Sequence, residues 1–348
     1  MPNFSKSECI AQNIVFVDGL WRSGKAILGP VLRCYERVEK QRLEHIYEYL
    51  CVMHRHGKID TDAAMTLMRM FSDIAMYNMM ISREVNLRFF DESGLFNNPN
   101  CLTYLTRLFH DDGDSVMERI KRDRPILQLM THMMFPGVDL VFKAFGSRAK
   151  VIEMVRHPLY MVEGWDNYID RCGTDPREFT LWLEHDGRCL PWFANGWENK
   201  YVSSSRIDKV IYSMKWLFDQ MDNAGKGLND EQRKQVLIIP FEKFVVGPYP
   251  FLDRIESFLG TKLTPAIAKT LKKQKCPRKY ISAGRGHDRW GGNPPDIDDI
   301  EDYNRRIEFV RANASNEAYT VLKELSLQYE TKYGLSDQSP WNRLVRNH

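Results

Sequence analysis

The segment Asn13–Leu32 gathers residue types that handle an anion. An apolar run (Ile14, Val15, Phe16, Val17) leads into Asp18-Gly19-Leu20-Trp21-Arg22-Ser23-Gly24-Lys25, and Ala26-Ile27-Leu28 opens a second apolar stretch. Arg22 and Lys25 put two cations within four residues. Gly19 and Gly24 permit backbone angles and close approaches that a Cβ would obstruct. Backbone N–H groups at a helix start are unpaired and lie at the positive end of the helix dipole, so such a turn binds phosphate. The pattern predicts a buried strand, a cationic turn and the start of a helix.

Gly19 to Lys25 satisfies GxxxxGK, but position 26 is alanine, where a magnesium-dependent NTPase or kinase carries the Ser or Thr that ligates Mg²⁺. No strand ends in a clean acid for the same metal, since Lys150–Val155 runs into Arg156. Positive charge must then come from side chains and amides: Arg22, Lys25, Arg156 and the loop around Arg285. Two separate basic sites suit a nucleotide with 5′ and 3′ phosphates. A Walker-A-type ATP-dependent kinase and a non-catalytic nucleotide-binding protein on the same fold stand as alternatives, and a glycine turn that binds nothing is the plainest one.

The elements that would position these residues alternate. Glu36–His56 and Thr61–Ile81 read as helices, the second carrying a methionine stripe that fits core filling. Ile126–Met130 and Lys150–Val155 read as buried strands, with a short helix at Val138–Phe145 between them. Pro158 steers the residue before it out of the helical region, so the second strand ends there and a helix follows. Ser204–Asn223 is a long amphipathic helix, Val236–Ile239 another strand, and Tyr249–Leu259 and Pro265–Lys273 are helices. A glycine-rich loop at Ser282–Asn293 precedes a final helical stretch, Glu301–Tyr333, in two pieces around Asn313–Asn316. Short apolar strands alternating with amphipathic helices predict an α/β fold, three layers with a central parallel sheet flanked by helices. Without repeats or low-complexity linkers, residues 10–335 read as one domain and 336–348 as a tail.

Composition sets outer bounds. The 348 residues are 43% hydrophobic and 27% charged, ordinary for a globular chain, and the net charge of +3 argues for neither a nucleic-acid nor a membrane partner. The cluster Lys269–Lys279 reads as a solvated face. Seven scattered cysteines, none in a CxxC pair, give neither a disulfide framework nor a zinc site, and no metal is expected. The first twelve residues lack an apolar signal core and no stretch is long enough to span a membrane, so the expected location is cytoplasmic.

In order and spacing the chain resembles the sulfotransferase family, which uses 3′-phosphoadenosine-5′-phosphosulfate (PAPS) and releases 3′,5′-bisphosphoadenosine (PAP). Trp21-Arg22-Ser23-Gly24 matches the family's 5′-phosphosulfate turn. Val155-Arg156-His157-Pro158 matches the strand end whose arginine holds the 3′-phosphate. Thr131-His132, closing Ile126–Met130, matches the Thr-His pair whose histidine is the catalytic base. Ile238-Ile239-Pro240-Phe241-Glu242-Lys243-Phe244 resembles a later strand followed by an acid. Gly284-Arg285-Gly286-His287-Asp288-Arg289-Trp290 fits the basic glycine-rich loop that closes over the 3′-phosphate. The resemblance spans Asn13–Gly292 and implies a P-loop-like sulfotransferase architecture. It further implies sulfuryl transfer to a hydroxyl or amine of a small molecule or carbohydrate, with no metal.

Three positions depart from that pattern. Lys25-Ala26 replaces a hydroxyl pair, Gly164 stands where a serine usually touches the 3′-phosphate, and Met130 stands where a lysine often precedes Thr-His. By the resemblance Arg22 and Lys25 stabilise charge on the leaving phosphate, and Arg22, Ser23, Gly24, Lys25, Ala26, Arg156, Gly164, Arg285, Gly286 and Trp290 form the nucleotide site. His132 titrates near neutrality when unperturbed, which suits a base; the alternative is a buried imidazole bonded to a carbonyl. Glu84, Glu92 and Glu153 are rival bases. Arg156 has a competing structural reading as an ion pair to Glu153 or Asp166. Trp165, Trp182, Trp192, Trp197 and Trp290 offer faces for stacking or, equally, core packing.

Overall fold

In the computed structural model, residues 3–89, 91, 93–172, 174–283 and 297–335 are described. Seven strands occur among them: β1 (Ile14–Asp18), β2 (Arg42–Leu43), β3 (Leu127–Met130), β4 (Ala149–Val155), β5 (Trp182–His185), β6 (Arg188–Pro191) and β7 (Val236–Pro240). Five form a parallel sheet in the order β2-β3-β1-β4-β7, and β5 and β6 pair as an antiparallel hairpin. All five residues of β1 are buried, as expected for a strand covered on both faces.

Alternation divides the core in two. Ile14 and Phe16 of β1, Leu127 and Leu129 of β3 and Val151 of β4 pack on one face, against helices that include Ile46–Arg55, Thr61–Met80, Val138–Phe145, Arg206–Gly227 and Asn316–Tyr333. Val15, Val17, Ile152, Met154 and Ile239 face the other way, onto helices Leu28–Leu32, Tyr249–Leu259 and Ala266–Lys273. The three expected layers are present.

Two local expectations are corrected. Glu36–His56 is helical only from Ile46; before it, Val38 bridges Ile126 and β2 pairs with β3. The backbone N–H of Glu39 bonds Ile126 O and that of Glu44 bonds Met130 O, so this segment completes the sheet edge. The element after the anion turn is a single 3₁₀ turn, Lys25–Ile27, and a five-residue helix, Leu28–Leu32, shorter than the expected helix.

Register brings the site together. Val17 is level with Met130 of β3 and Ile152 of β4, and Asp18 with Glu153. The loops leaving β1, β3 and β4 therefore emerge side by side at the carboxyl edge. β1 lies between β3 and β4, so connections leave to either side of it, the place where open α/β sheets form their ligand crevice.

Candidate functional site

The turn after β1 is shaped by contacts that leave no room for side chains. Gly19 has φ 152°, and a Cβ there would stand 2.5 Å from Met154 O and 2.6 Å from Ser23 Oγ. Gly24 has φ 84°, and its Cβ would enter the Phe241 ring at 2.3 Å. Between them Arg22 adopts φ 64°, a left-handed conformation rare for a residue with a Cβ. Trp21 anchors the turn: it stacks on Tyr168 at 4.8 Å and packs on Trp165, whose Nε1 donates to Trp21 O at 2.7 Å. Ser23 Oγ is sealed from solvent with no hydrogen-bond partner among the described residues.

The Arg22 side chain lies across Gly164 and reaches the Tyr168 ring, 5.7 Å from its centre. A Cβ on Gly164 would sit 2.6 Å from Arg22 Cγ and 2.7 Å from its Nε. The departure at position 164 is thus coupled to the turn: glycine clears the path that Arg22 takes.

Arg156, just after β4, reaches the turn after β1. Its Nη1 donates to Arg22 O at 2.9 Å, and its guanidinium lies 4.5 Å from the centre of the Phe241 ring. The competing ion pairs are absent among the described residues: Asp166 pairs with Arg206, and Glu153 faces Asp18. Arg278 lies on the Phe241 ring too, at 5.4 Å, and Arg306 is 5.0 Å from the Tyr160 ring that Arg156 also approaches. Burial lowers the Arg156 pKa to about 10; Glu242 opposes the shift, while Arg306 and Arg278 add to it. An arginine held with other cations nearby suits a di-anion arriving from solvent.

Behind Arg156 the chain is tied down. The His157 backbone N–H donates to Glu242 Oε1 at 2.9 Å, and Tyr329 OH donates to Glu242 Oε2 at 2.7 Å. The His157 ring contacts Glu330 at 3.1 Å.

Beneath the turn lies a buried charged cluster. Lys25 was expected over the phosphate, but its ammonium turns inward onto the carbonyls of Gly19 and Leu20. Burial brings its pKa down to about 8, against the pull of Asp18, Glu153 and Glu48. The long stem folds back because these carbonyls and carboxyls lie under the loop. Asp18 accepts from Thr131 Oγ1 at 2.9 Å and from the Phe135 N–H at 2.8 Å, fastening β1 to the loop after β3. Burial raises the Asp18 carboxyl and raises those of Glu48 and Glu153 strongly. Burial, then Lys25, then His45, hold His132 well below the usual imidazole range, so its ring is neutral at physiological pH.

Of the expected site residues, Arg22, Ser23, Gly24, Lys25 and Ala26 form the turn after β1, Arg156 bonds to that turn, and Gly164 lies against the Arg22 side chain, while Lys25 faces inward near His132. Arg285, Gly286, Arg289, Trp290 and Glu92 lie outside the described residues. Glu84 is ion-paired with Arg42 at 2.9 Å. Trp165 and Trp192 are core residues rather than ligand platforms. Phe241 stood in the motif after the Val236–Ile239 strand without a site role of its own, and Arg306, His45 and Glu48 carried no signal that was used. Arg278 stood in a lysine-rich run read as surface, and His45-x-x-Glu48 was a helical spacing that signals one face.

No family model matches the chain, and no curated protein does. Among solved structures it is similar to a sulfotransferase domain from the curacin biosynthetic pathway, with TM-score 0.45, 12% identity and coverage of 90% of this chain and 97% of that one. It is similar to the sulfotransferase domain of the Synechococcus PCC 7002 olefin synthase, with TM-score 0.43, 12% identity and coverage of 94% and 98%. It is also similar to the mouse sulfotransferase SULT7A1 complexed with PAP, with TM-score 0.36, 14% identity and coverage of 92% and 90%. All three are sulfotransferases, and at these values the likeness assigns no activity to this chain.

Proposed function

We propose that the protein is a PAPS-dependent sulfotransferase acting on a hydroxyl or amine of a small molecule or carbohydrate. The observation that supports this reading is the 2.9 Å bond from the Arg156 guanidinium to the Arg22 carbonyl, which joins the turn after β1 to the end of β4. The turn with Arg22 and Ser23 takes the 5′-phosphosulfate, and Arg156, with Arg278 nearby, takes the 3′-phosphate. Lys25 braces the loop from beneath rather than touching the nucleotide.

Sulfuryl transfer forms a bond between acceptor oxygen or nitrogen and sulfur while the bond from sulfur to the bridging phosphate oxygen breaks. The electron pair stays on the leaving phosphate, and the acceptor loses a proton. As in phosphoryl transfer, positioning and charge stabilisation supply most of the rate. Arg22 stabilises the leaving phosphate, and His132, neutral and beside the turn, takes the proton.

Thermal unfolding with PAP, and with ATP in the presence and absence of Mg²⁺, tests the reading. PAP at about 100 times its dissociation constant should stabilise the fold by about 2.7 kcal/mol, without Mg²⁺, and the Arg156→Ala variant should lose most of that gain. Stabilisation by ATP only with Mg²⁺ would instead favour the kinase, and equal PAP affinity in Arg156→Ala would remove Arg156 from the site.

A further inference from the structure

His45, Glu48 and His132 converge from two elements. His45 precedes the helix Ile46–Arg55, Glu48 lies in its first turn, and their three-residue spacing puts both on one face. His132 follows β3. One ligating atom from each lies within 4.8 Å of the others. The two imidazoles are nearly parallel, 13° apart, with ring centres separated by 5.2 Å. Nδ1 of His132 is closed off from solvent and has no hydrogen-bond partner among the described residues.

Two imidazole nitrogens and one carboxylate oxygen, with a fourth position open, are the donor set of zinc sites that exchange a small ligand. Asp18, Glu48 and Glu153 are three buried carboxyl groups with one buried lysine, Lys25, beside them. A cation at this point would hold Glu48 ionised as one of its ligands, and a buried carboxylate is tolerated when it coordinates a metal.

We propose that His45, Glu48 and His132 form a binding site for a divalent transition metal of the zinc type. Ligand atoms at about 2.1 Å from a tetrahedral zinc stand ~3.4 Å from one another, so filling the site draws the three side chains together by about an ångström. The site stands independently of the nucleotide: a chain that gripped no bisphosphate would present the same three ligands. Under the transferase reading it has a further effect. An imidazole bound to metal accepts no proton, so filling the site stops transfer while PAP still binds.

The test uses the full chain, treated with chelator and titrated with Co²⁺, whose visible spectrum reports tetrahedral nitrogen and oxygen ligation. One equivalent should bind, Zn²⁺ should displace it, and Mg²⁺, which prefers octahedral oxygen sites, should not. Glu48→Gln and His45→Gln should each lose more than the roughly 10–100-fold that loss of an outer-shell partner costs. His45 is only partly buried, so His45→Gln keeps the test open if the Glu48 variant does not fold, with circular dichroism as the check. Failure of the folded chain to take up Co²⁺, or equal uptake by His45→Gln and His132→Ala, overturns the proposal. PAP titration of the same samples separates the two readings: a chain that binds Zn²⁺ and not PAP keeps the metal site and loses the transferase, and the converse result does the reverse.

Discussion

Arg22 holds a left-handed backbone conformation, which costs a residue with a side chain about 1–3 kcal/mol and persists only where surrounding contacts impose it. Here the Trp21 stack, the Trp165 bond to the neighbouring carbonyl and the Arg156 bond to Arg22 O do so. The side chain then runs over Gly164. Gly164→Ala should push Arg22 aside and weaken PAP binding on the order of tenfold, equivalent to about 1.4 kcal/mol, with the unfolding temperature little changed. Calorimetric titration of PAP is the measurement, and unchanged affinity would show that Arg22 does not reach the nucleotide. Residue types at this scale were legible: a glycine-flanked basic turn and an arginine before His-Pro both point to anions. The direction of Lys25 was not: its ammonium turns onto the Gly19 and Leu20 carbonyls beside Asp18, and Glu153 and Glu48, which add to the pull on it, come from other elements.

At the level of elements, hydrophobic periodicity located most of the framework. Val138–Phe145 and Tyr249–Leu259 form helices with the expected bounds, and the last helical stretch breaks where Asn313–Asn316 suggested. Short, partly exposed strands were missed. β2 has two residues, and β5–β6 is joined by Asp186-Gly187, both at positive φ, a hairpin turn whose sequence signal was there to be used. The His45–Glu48–His132 group was invisible for a different reason: parallel strands bring together residues far apart in the chain, and no local spacing records that. The β1 turn depends on β7 in the same way, since Phe241 fills the space beside Gly24. Gly24→Ala should destabilise the protein by about 1–3 kcal/mol through overpacking, added to the cost of the left-handed angle. Urea unfolding measures this, and a variant as stable as the parent would mean that Phe241 can move away freely.

Across the whole molecule, the β1 turn and the β4 end belong to one sheet but are buttressed by distant chain. No helix among the described residues is long and apolar enough to cross a membrane. Glu242, after β7, accepts from the His157 N–H and from Tyr329, while Glu330 meets the His157 ring, so the helix Asn316–Tyr333 supports the residue next to Arg156. Tyr329→Phe removes a donor from a buried carboxylate and should cost about 1.5–3 kcal/mol in urea unfolding. It should also weaken PAP binding without altering any residue in contact with it; a stability loss with unchanged affinity would separate that helix from the site. This arrangement bears on biosynthesis. The β1 turn and Arg156 are made early, yet the contacts of Glu242 and His157 behind Arg156 are completed by residues near position 330, so a growing chain on the ribosome carries an unfinished support until Tyr329 and Glu330 have emerged and docked.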